Sequence, residues 1–496
     1  MASDGNQSGT AGKTKESAYK HSGFTSKFGF IMAAAGSAVG LGNIWRFPYL
    51  SAKYGGGIFL LTYLVLVLTF GYALLISENC LGRITGKGPI GTYNHFCKGK
   101  KGFLSFVRVG GWINSIVPLI IVPYYCVIGG WVTKYVFAML CNPVSSFSKD
   151  AVVEVTKADG TVSTVGAAAN YFSNFVSSTW EPIFFFLLFG GIMVAVVAFG
   201  VEKGIERFNK IAMPILLMMI IGICIKCLFL PNSGAGFAYY LKPDFSKFSY
   251  MTVVAAMGQL FFSLSIAMGI MITYGSYMRK EDDLVSSVNH VELWDTTVAF
   301  LAGLMIIPAV VCFGGKEAAE AAGPGLVFVT MPQVFASFAV GGRFFGVLFF
   351  LLVLFAAATS AISLLETNVQ SIAQEFNLSR KKAIFCGMME VLAVGVITIL
   401  GYSVFSKFHP LSFIERYKGM DILDTLDFIS NNVMMPVAAI FTTVLVVGVI
   451  GLEKFTSEIK QGVKHWYRQW IYELCMCVVV IPCLLVILLN SLGIIK

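Results

Sequence analysis

The stretch Ala33-Ala-Ala-Gly-Ser-Ala-Val-Gly-Leu-Gly-Asn-Ile-Trp-Arg-Phe-Pro48 lies in the first long apolar segment of the chain, yet it is a poor continuous helix. Three glycines fall within residues 36–42, and each costs roughly 1 kcal/mol relative to alanine inside a helix. Asn43 and Arg46 follow at membrane depth, where polar side chains are costly and usually functional. Small residues alone are typical of close helix packing. Combined with the polar residues and a proline, they predict a helix that is interrupted in mid-membrane. Such an interruption frees backbone carbonyls and amides, which a cation and an anionic ligand group would satisfy.

The composition around this stretch is that of an integral membrane protein. Of the 496 residues, 56% are hydrophobic and only 13% are charged, and the mean hydropathy is +0.77. Apolar runs of about 20 residues, enough to cross a bilayer, recur along the chain. We therefore predict an all-α membrane protein with about eleven transmembrane helices. The predicted spans are residues 29–49, 57–82, 110–140, 182–200, 208–230, 251–277, 291–313, 344–374, 383–402, 427–451 and 470–493.

The distribution of basic residues predicts the orientation in the membrane. Most of the 36 lysines and arginines fall in segments on the same side as the N-terminus. By the positive-inside rule the N-terminus is cytoplasmic, and the C-terminus is outside because the number of spans is odd. The net charge of +9 therefore reflects the orientation of the chain in the lipid bilayer. We expect the protein in the plasma (inner) membrane, with no nucleic-acid partner.

The chain divides into three parts on the same criteria. Residues 1–23 form a flexible cytoplasmic N-terminus, residues 24–452 a membrane-spanning core, and residues 453–496 a cytoplasmic connector with an additional transmembrane helix. A short re-entrant helical hairpin is predicted at 315–340 on the outer side. The hydrophilic outer loop at 141–180 is either an ordered lid or a hairpin, and the sequence does not decide between them.

The sixth predicted span repeats the unusual features of the first. In Gln259-Leu-Phe-Phe-Ser-Leu-Ser-Ile-Ala-Met-Gly-Ile270, polar and small residues again lie in mid-membrane. The two segments are five spans apart, so two halves of five helices would each begin with an interrupted helix, helices 1 and 6 being unwound. An odd number of helices per half gives the halves opposite orientations, which is the 5+5 inverted repeat of secondary transporters.

Five motifs, in order along the chain, carry a resemblance to a known family. They are Gly36-Ser-Ala-Val-Gly-Leu-Gly-Asn-Ile-Trp-Arg-Phe-Pro48, Lys203-Gly-Ile-Glu-Arg-Phe208, Gly258-Gln-Leu-Phe-Phe-Ser-Leu-Ser265, Ile272-Thr-Tyr-Gly-Ser-Tyr-Met-Arg279 and Ala358-Thr-Ser360. Together they resemble the neurotransmitter:sodium symporter family over residues 24–490, and the chain looks like a bacterial amino-acid member of it. The resemblance implies a sodium-coupled symporter that imports an L-amino acid by alternating access, with no enzymatic activity and no organic cofactor.

The resemblance also implies two sodium sites. Sodium is a hard cation that prefers oxygen ligands. The ligands of the first ion are the carbonyls of Gly36, Val39 and Ala356 and the hydroxyls of Thr359 and Ser360. Taken alone, the two hydroxyls would more readily be interpreted as bonded back to their own helix. The ligands of the second ion are Ala38, Asn43, Ser263 and Asp295, completed by the substrate carboxylate.

The family motifs place the substrate at the two interrupted helices. Its carboxylate would take the amides of Gly40 and Gly42 and the hydroxyl of Tyr125, since helix N-termini favour anions. Its amine would face oxygens of Ala38, Phe262, Ser263 and Ser265. Its side chain would lie among Ile121, Phe262, Met268 and Leu364, with Ser360 at the edge. This apolar lining predicts a large apolar or aromatic substrate, because a buried charge would lack a partner.

Two gates follow from the same comparison. Arg46 and Asp427 match the family's outer gate, a charge pair above the substrate. On the inner side the family uses an arginine and a tryptophan ahead of helix 1, whereas this chain has Lys20, His21 and Phe24. Glu366 and Glu375 are candidate acidic partners there, and the inner pair stays unassigned.

Asp295 departs from the usual asparagine of the second sodium site. Chloride-dependent relatives also carry a serine one turn later, where this chain has Ala299. A fixed carboxylate supplies the negative charge that chloride otherwise brings, so we expect transport without a chloride requirement.

Other functions remain to be weighed. A carrier of an amine or osmolyte on the same fold is the main alternative. Glycine at position 40 favours a substrate carboxylate, since monoamine carriers have an aspartate there. A channel would need a repeated pore motif, which the sequence lacks. An intramembrane enzyme would need clustered catalytic groups, but the acids Glu78, Asp295 and Glu366 lie on separate helices without a histidine.

Overall fold

The computed structural model describes residues 23–156, 162–231, 233–320, 325–338 and 340–495. The predicted flexible N-terminus, residues 1–23, therefore lies outside the described residues except for its last position. In the described part of the chain, helices dominate, and one short antiparallel hairpin pairs β1 (Val152–Thr156) with β2 (Val162–Gly166).

The described residues form eighteen helices, and some of these contain a π-helical turn. In chain order they are α1 (Lys27–Ala38), α2 (Gly42–Lys53), α3 (Gly57–Thr85), α4 (Pro89–Cys97), α5 (Phe103–Cys141), α6 (Ala167–Ser177), α7 (Trp180–Ala198), α8 (Val201–Leu228), α9 (Ser233–Leu241), α10 (Tyr250–Ser263), α11 (Ile270–Ser276), α12 (Leu284–Glu320), α13 (Leu326–Ala336), α14 (Gly342–Glu375), α15 (Arg380–Leu400), α16 (Ile422–Ile450), α17 (Leu452–Ile459) and α18 (Gln469–Ser491). Short 3₁₀ turns lie at Val144–Phe147, Phe245–Lys247 and Glu415–Tyr417.

The predicted spans are present as helices. Within the described ranges, nine helices are long and apolar enough to cross a membrane, and the bent pair α1–α2 makes a tenth. The remaining predicted span, 251–277, is divided between α10, with 14 residues, and α11, with 7 residues. Each is too short to cross a bilayer alone. The prediction of about eleven spans is therefore consistent with the structure.

The first span is interrupted in the glycine-rich stretch. Helix α1 ends at Ala38, and Val39 has an extended backbone with ψ 99°. The axis turns by 49° between α1 and α2. The amide of Gly40 donates to Oδ1 of Asn43 at 3.0 Å, so a side chain replaces the helical carbonyl that this amide has lost. The break lies where the glycines lower the cost of leaving the helix.

The sixth span is interrupted over residues 264–269. Ser265 has φ 53° and Ala267 has φ 61°, conformations that are unfavourable for residues with a side chain. The amide of Ala267 donates to Oε1 of Glu78 at 2.7 Å, and Glu78 is fully buried on α3. The intramembrane Glu78 thus satisfies a backbone amide that the broken helix leaves free.

The interrupted first span lies at the centre of the molecule. Helix α1 is buried from Gly29 to Ala38 and packs against α8, α12 and α14. In the most apolar 18 residues of helix α5, 83% of the residues are buried inside the protein, whereas in α7, α15 and α18 the share is 33%. Helices α1 and α5 therefore lie in the protein interior, and α7, α15 and α18 present most of their surface to lipid.

Two outer segments differ from or refine the prediction. Helix α12 continues to Glu320, past residue 313, where the seventh span was predicted to end, so the first limb of the predicted hairpin at 315–340 is an extension of α12. Lys316-Glu-Ala-Ala-Glu320 consists of strong helix formers, which prolong the helix although they end the apolar run. The second limb is α13. In the outer loop 141–180, the hairpin β1–β2 is followed by α6.

Candidate functional site

A small cavity lies between the two helix interruptions and α5 and α14. Every predicted substrate-binding residue except Ser263 lines it. Ser37 lines it too, and this residue was not predicted although it lies within the glycine-rich stretch 33–48. The lining residues are Ser37, Ala38, Gly40, Gly42, Ile121, Tyr125, Phe262, Ser265, Met268, Ser360 and Leu364.

One end of the cavity is formed by backbone and hydroxyl groups. The hydroxyl oxygen of Tyr125 accepts a hydrogen bond from the amide of Leu41 at 3.1 Å, which fixes the tyrosine against the interruption of the first span. A methyl group built on Gly40 would lie 2.4 Å from Oγ of Ser360 and 2.9 Å from the hydroxyl of Tyr125. Position 40 therefore has no room for a side chain, because Ser360 and Tyr125 pack against it.

The other end of the cavity is apolar. Ile121, Phe262, Met268 and Leu364 contribute aliphatic, aromatic and thioether groups. Among the described residues that line the cavity, none is charged. This end can bury an apolar group of variable shape, because a methionine side chain repacks readily.

The five predicted ligands of the first sodium ion converge beside the cavity. Oγ1 of Thr359 lies 3.0 Å from the carbonyl oxygen of Ala356 and 3.4 Å from that of Val39. Oγ of Ser360 lies 3.3 Å from the carbonyl oxygen of Val39 and 3.5 Å from that of Gly36. Three carbonyls and two hydroxyls from α14 and the end of α1 are thus neighbours, and the shortest contact of the Ser360 hydroxyl is with the carbonyl oxygen of Ser37, at 2.9 Å. Both hydroxyls bridge the two elements and do more than bond back to their own helix.

Three of the four predicted ligands of the second sodium ion also form a cluster. Nδ2 of Asn43 donates to Oδ1 of Asp295 at 2.7 Å and to Oγ of Ser263 at 3.0 Å. Oγ of Ser263 in turn lies 2.9 Å from Oδ1 of Asp295. The hydroxyl of Tyr63 donates to Oδ2 of Asp295 at 3.2 Å. All four side chains are fully buried, and Ala38 lines the adjoining cavity.

A second and larger cavity lies on the predicted outer side of the first. Phe262 and Tyr125 line both cavities, so these two side chains lie between them. The guanidinium of Arg46 lies 5.6 Å from the centre of that ring, while Asp427 accepts hydrogen bonds from Tyr124 at 3.2 Å and Asn431 at 2.6 Å. Among the described residues, Arg46 and Asp427 line the same cavity without forming an ion pair.

On the predicted inner side, Phe24 packs against aromatic rings and Glu366 forms an ion pair. Phe24 is buried and makes edge contacts with Tyr274 and Tyr277. Glu366 pairs with Arg380 at 2.5 Å and accepts from the hydroxyl of Tyr277 at 2.8 Å. Of the two acids considered from the sequence, Glu366 is the one that makes an ion pair within the described ranges. Lys20 and His21 lie outside the described residues.

Other acids within the predicted spans were not identified from the sequence. Glu292 on α12 is buried and pairs with Arg468 at 2.6 Å. Glu390 on α15 has one carboxylate oxygen, Oε2, that is buried without a hydrogen-bond partner among the described residues. Arg468, in the predicted charged connector, was the available signal for Glu292, because a cation near a span end commonly pairs with an intramembrane acid.

A model of the sodium:neurotransmitter symporter family matches residues 21–496. The chain belongs to this family. It is 32% identical over 479 residues to the uncharacterized sodium-dependent transporter YhdH of Bacillus subtilis, covering 95% of this chain and 98% of that protein. It is 26% identical over 487 residues to the sodium-dependent dopamine transporter of Caenorhabditis elegans, covering 88% and 75%. The crystal structure of MhsT in complex with L-phenylalanine matches with a TM-score of 0.81 and 31% identity, over 95% of this chain and all of that one.

Membership in the symporter family confirms several predictions at once. This symporter is a sodium-dependent, multi-pass membrane transporter and not an enzyme. Its helical membrane fold is that of the family, as the match to MhsT shows.

Proposed function

We propose that this symporter imports a large apolar or aromatic L-amino acid together with sodium, by alternating access and without a chloride requirement. The observation that carries the proposal is the cavity between the two interruptions. Its polar end is formed by Gly40, Gly42 and Tyr125 and suits a carboxylate, and its opposite end is apolar. An amino acid with an uncharged, bulky side chain has this distribution of polarity. MhsT, which is similar over 95% of this chain, is known in complex with L-phenylalanine, and this supports the proposed substrate class.

The proposed mechanism uses two sodium ions. The ion near Thr359 would hold α14 against the end of α1, because its ligands come from both elements. The ion near Asn43 would take the substrate carboxylate as a ligand, which couples the two binding events. By thermodynamic linkage, sodium then tightens substrate binding and substrate tightens sodium binding to the same degree.

Alternating access would open and close the two sides of the site in turn. In the present arrangement Glu366 pairs with Arg380 on the predicted inner side, and Phe262 and Tyr125 lie between the site and the outer cavity. Pairing of Arg46 with Asp427 would close the outer cavity over the substrate. Both side chains are partly exposed, and an ion pair that solvent reaches contributes little net stability, so such a closure is readily reversible.

A carrier of an amine or osmolyte is the second candidate. It would require a carboxylate near position 40 to bind an amine that lacks its own carboxylate. The contacts of Gly40 with Ser360 and Tyr125 leave no room for such a side chain. The space around Gly40 therefore favours the amino acid.

Uptake of radiolabelled leucine and phenylalanine into proteoliposomes tests the proposal. Uptake should require an inward sodium gradient, and leucine, methionine, phenylalanine and tyrosine should compete more strongly than lysine and glutamate. Replacing both Thr359 and Ser360 by alanine should abolish sodium-dependent uptake. Equal uptake with and without sodium, or preference for a charged amino acid, would contradict it.

A further inference from the structure

One buried oxygen beside the proposed sodium site has no hydrogen-bond partner. Asn209 lies on α8 and is fully buried. Its Nδ2 donates to the carbonyl of Ile205 at 2.9 Å. Its Oδ1 accepts no hydrogen bond from any described residue. A buried acceptor without a partner is costly, and native proteins keep few of them without a specific reason.

This oxygen lies against the backbone of Gly36. A methyl group built on Gly36 would lie 2.0 Å from Oδ1 of Asn209 and 3.5 Å from Cβ of Thr359. The unpartnered oxygen and Thr359 therefore both approach Gly36 on the side where a side chain would stand. The Gly36 carbonyl and the Thr359 hydroxyl are two of the proposed ligands, and the absence of a side chain at position 36 is what lets the amide approach.

The chemistry of the amide oxygen suits the ion. Carbonyl oxygens of asparagine are good ligands for hard cations. The other five proposed ligands are all neutral, so the site can accept another oxygen without crowding of negative charge. We infer that Oδ1 of Asn209 is a further ligand of the sodium ion bound near Thr359, reaching it from α8. This inference rests on the proposed sodium site.

The preceding turn of α8 also presents an oxygen-bearing side chain to α1. Glu206 lies three residues earlier, is buried, accepts from the amide of Thr25 at 2.9 Å and pairs with Lys210 at 2.6 Å. A methyl group built on Gly29 would meet Oε1 of Glu206 at 2.0 Å. Helix α8 therefore presents two oxygen-bearing side chains to two glycines of α1. Asn209 is the one nearer the ion, and Glu206 is nearer the predicted cytoplasmic end.

A purely structural role for Asn209 makes a different prediction. The oxygen would then accept only a weak Cα–H contact from Gly36, which stabilises packing but does not respond to sodium. Asn114 provides a matched control. It is equally buried, its Nδ2 donates to the carbonyl of Gly110 at 2.9 Å, and its Oδ1 also has no partner in the described part of the chain.

Equilibrium binding of radiolabelled sodium to the purified, substrate-free symporter tests the inference. Asn209→Leu keeps a similar volume and removes the oxygen, and it should weaken sodium binding roughly tenfold. Asn209→Asp keeps the shape and supplies a charged oxygen, so it should bind sodium more tightly than the wild type. Asn114→Leu should stay within about twofold of the wild type. Thermal unfolding without sodium establishes that each variant is folded, and Asn209→Asp keeps the test decisive if Asn209→Leu does not fold.

A variant of the site itself separates the two claims. The double substitution Thr359→Ala and Ser360→Ala should remove sodium binding to this site. If the double variant binds sodium like the wild type, the proposed site is wrong. If it loses binding while both Asn209 variants match the wild type, the site stands and the inference about Asn209 is overturned.

Discussion

The side-chain amide of Asn43 donates a 2.7 Å hydrogen bond to Oδ1 of Asp295, which joins the interrupted first span to α12. Both side chains are fully buried, and Ser263 of α10 donates to the same oxygen at 2.9 Å. The interruptions of the first and sixth spans are therefore connected through one carboxylate. When ionised, this carboxylate would attract a cation, and it lies beside the cavity that we propose for the substrate.

The first prediction concerns the charge of Asp295. Asp295→Asn keeps the hydrogen-bonding shape and removes the negative charge, so sodium-dependent uptake in chloride-free buffer should fall roughly tenfold or more. Wild-type uptake should be unchanged when gluconate replaces chloride. Adding Ala299→Ser to Asp295→Asn should restore part of the uptake only in the presence of chloride.

An exposed acid controls for the loss of charge in general. Asp244 lies in the predicted outer loop, where it accepts from the backbone and side chain of Ser246, and Asp244→Asn should leave uptake unchanged in both buffers. If wild-type uptake collapses in gluconate, Asp295 does not take the place of chloride.

The second prediction concerns the space at Gly40. Gly40→Ala places a methyl group 2.4 Å from Oγ of Ser360 and 2.9 Å from the hydroxyl of Tyr125. Those groups must move, so amino-acid binding, measured by equilibrium dialysis with sodium, should weaken roughly tenfold. Gly222→Ala on α8 is the control, because a methyl group there meets nothing within 4 Å. Equal affinity of both variants would show that position 40 does not border the substrate.

The third prediction concerns the support of the sixth span by Glu78. Its Oε1 accepts the amide of Ala267 at 2.7 Å. Glu78→Ala leaves that buried amide without an acceptor, at a cost of about 1–3 kcal/mol. The variant should lower the thermal unfolding temperature and weaken substrate binding. Glu78→Gln keeps an acceptor oxygen and should retain most of both, and an equal loss in the two variants would mean that the charge, not the acceptor, is what matters.

The sequence predicted the elements whose signal is local. The glycines of residues 36–42 identified the first interruption because glycine is unfavourable inside a helix wherever it occurs. The apolar runs identified the spans because length and hydropathy suffice for that purpose. The sixth interruption was found by its polar residues, although its backbone there uses Ser265 and Ala267 at positive φ. No local propensity predicts a positive φ at alanine, and the contact with Glu78 that supports it depends on packing across the molecule.

The ion pairs between helices were not assigned from the sequence. Glu366 pairs with Arg380 at the start of the next helix, and Glu292 pairs with Arg468 of the connector, and both pairings depend on how the spans pack. The unpartnered oxygen of Asn209 is a similar case. In the sequence it is one polar residue early in a span, and only its approach to Gly36 makes it a candidate ligand.

The fourth prediction concerns the strained backbone at Ala267. An alanine at φ 61° costs roughly 1–2 kcal/mol relative to the right-handed region, and Ala267 borders Met268 in the substrate cavity. Ala267→Gly removes the strain and lets the interrupted segment move further. The variant should therefore unfold at a higher temperature and should accept tryptophan, whose bulky indole the wild type should bind weakly relative to leucine. Competition of tryptophan against labelled leucine measures the second effect.

Asn377 also has a positive φ, of 50°, but lies between α14 and α15, outside the residues lining the cavity. Asn377→Gly should leave the ratio of tryptophan to leucine binding unchanged. If Ala267→Gly changes the unfolding temperature but leaves the ratio of tryptophan to leucine binding unchanged, Ala267 does not limit the size of the substrate side chain.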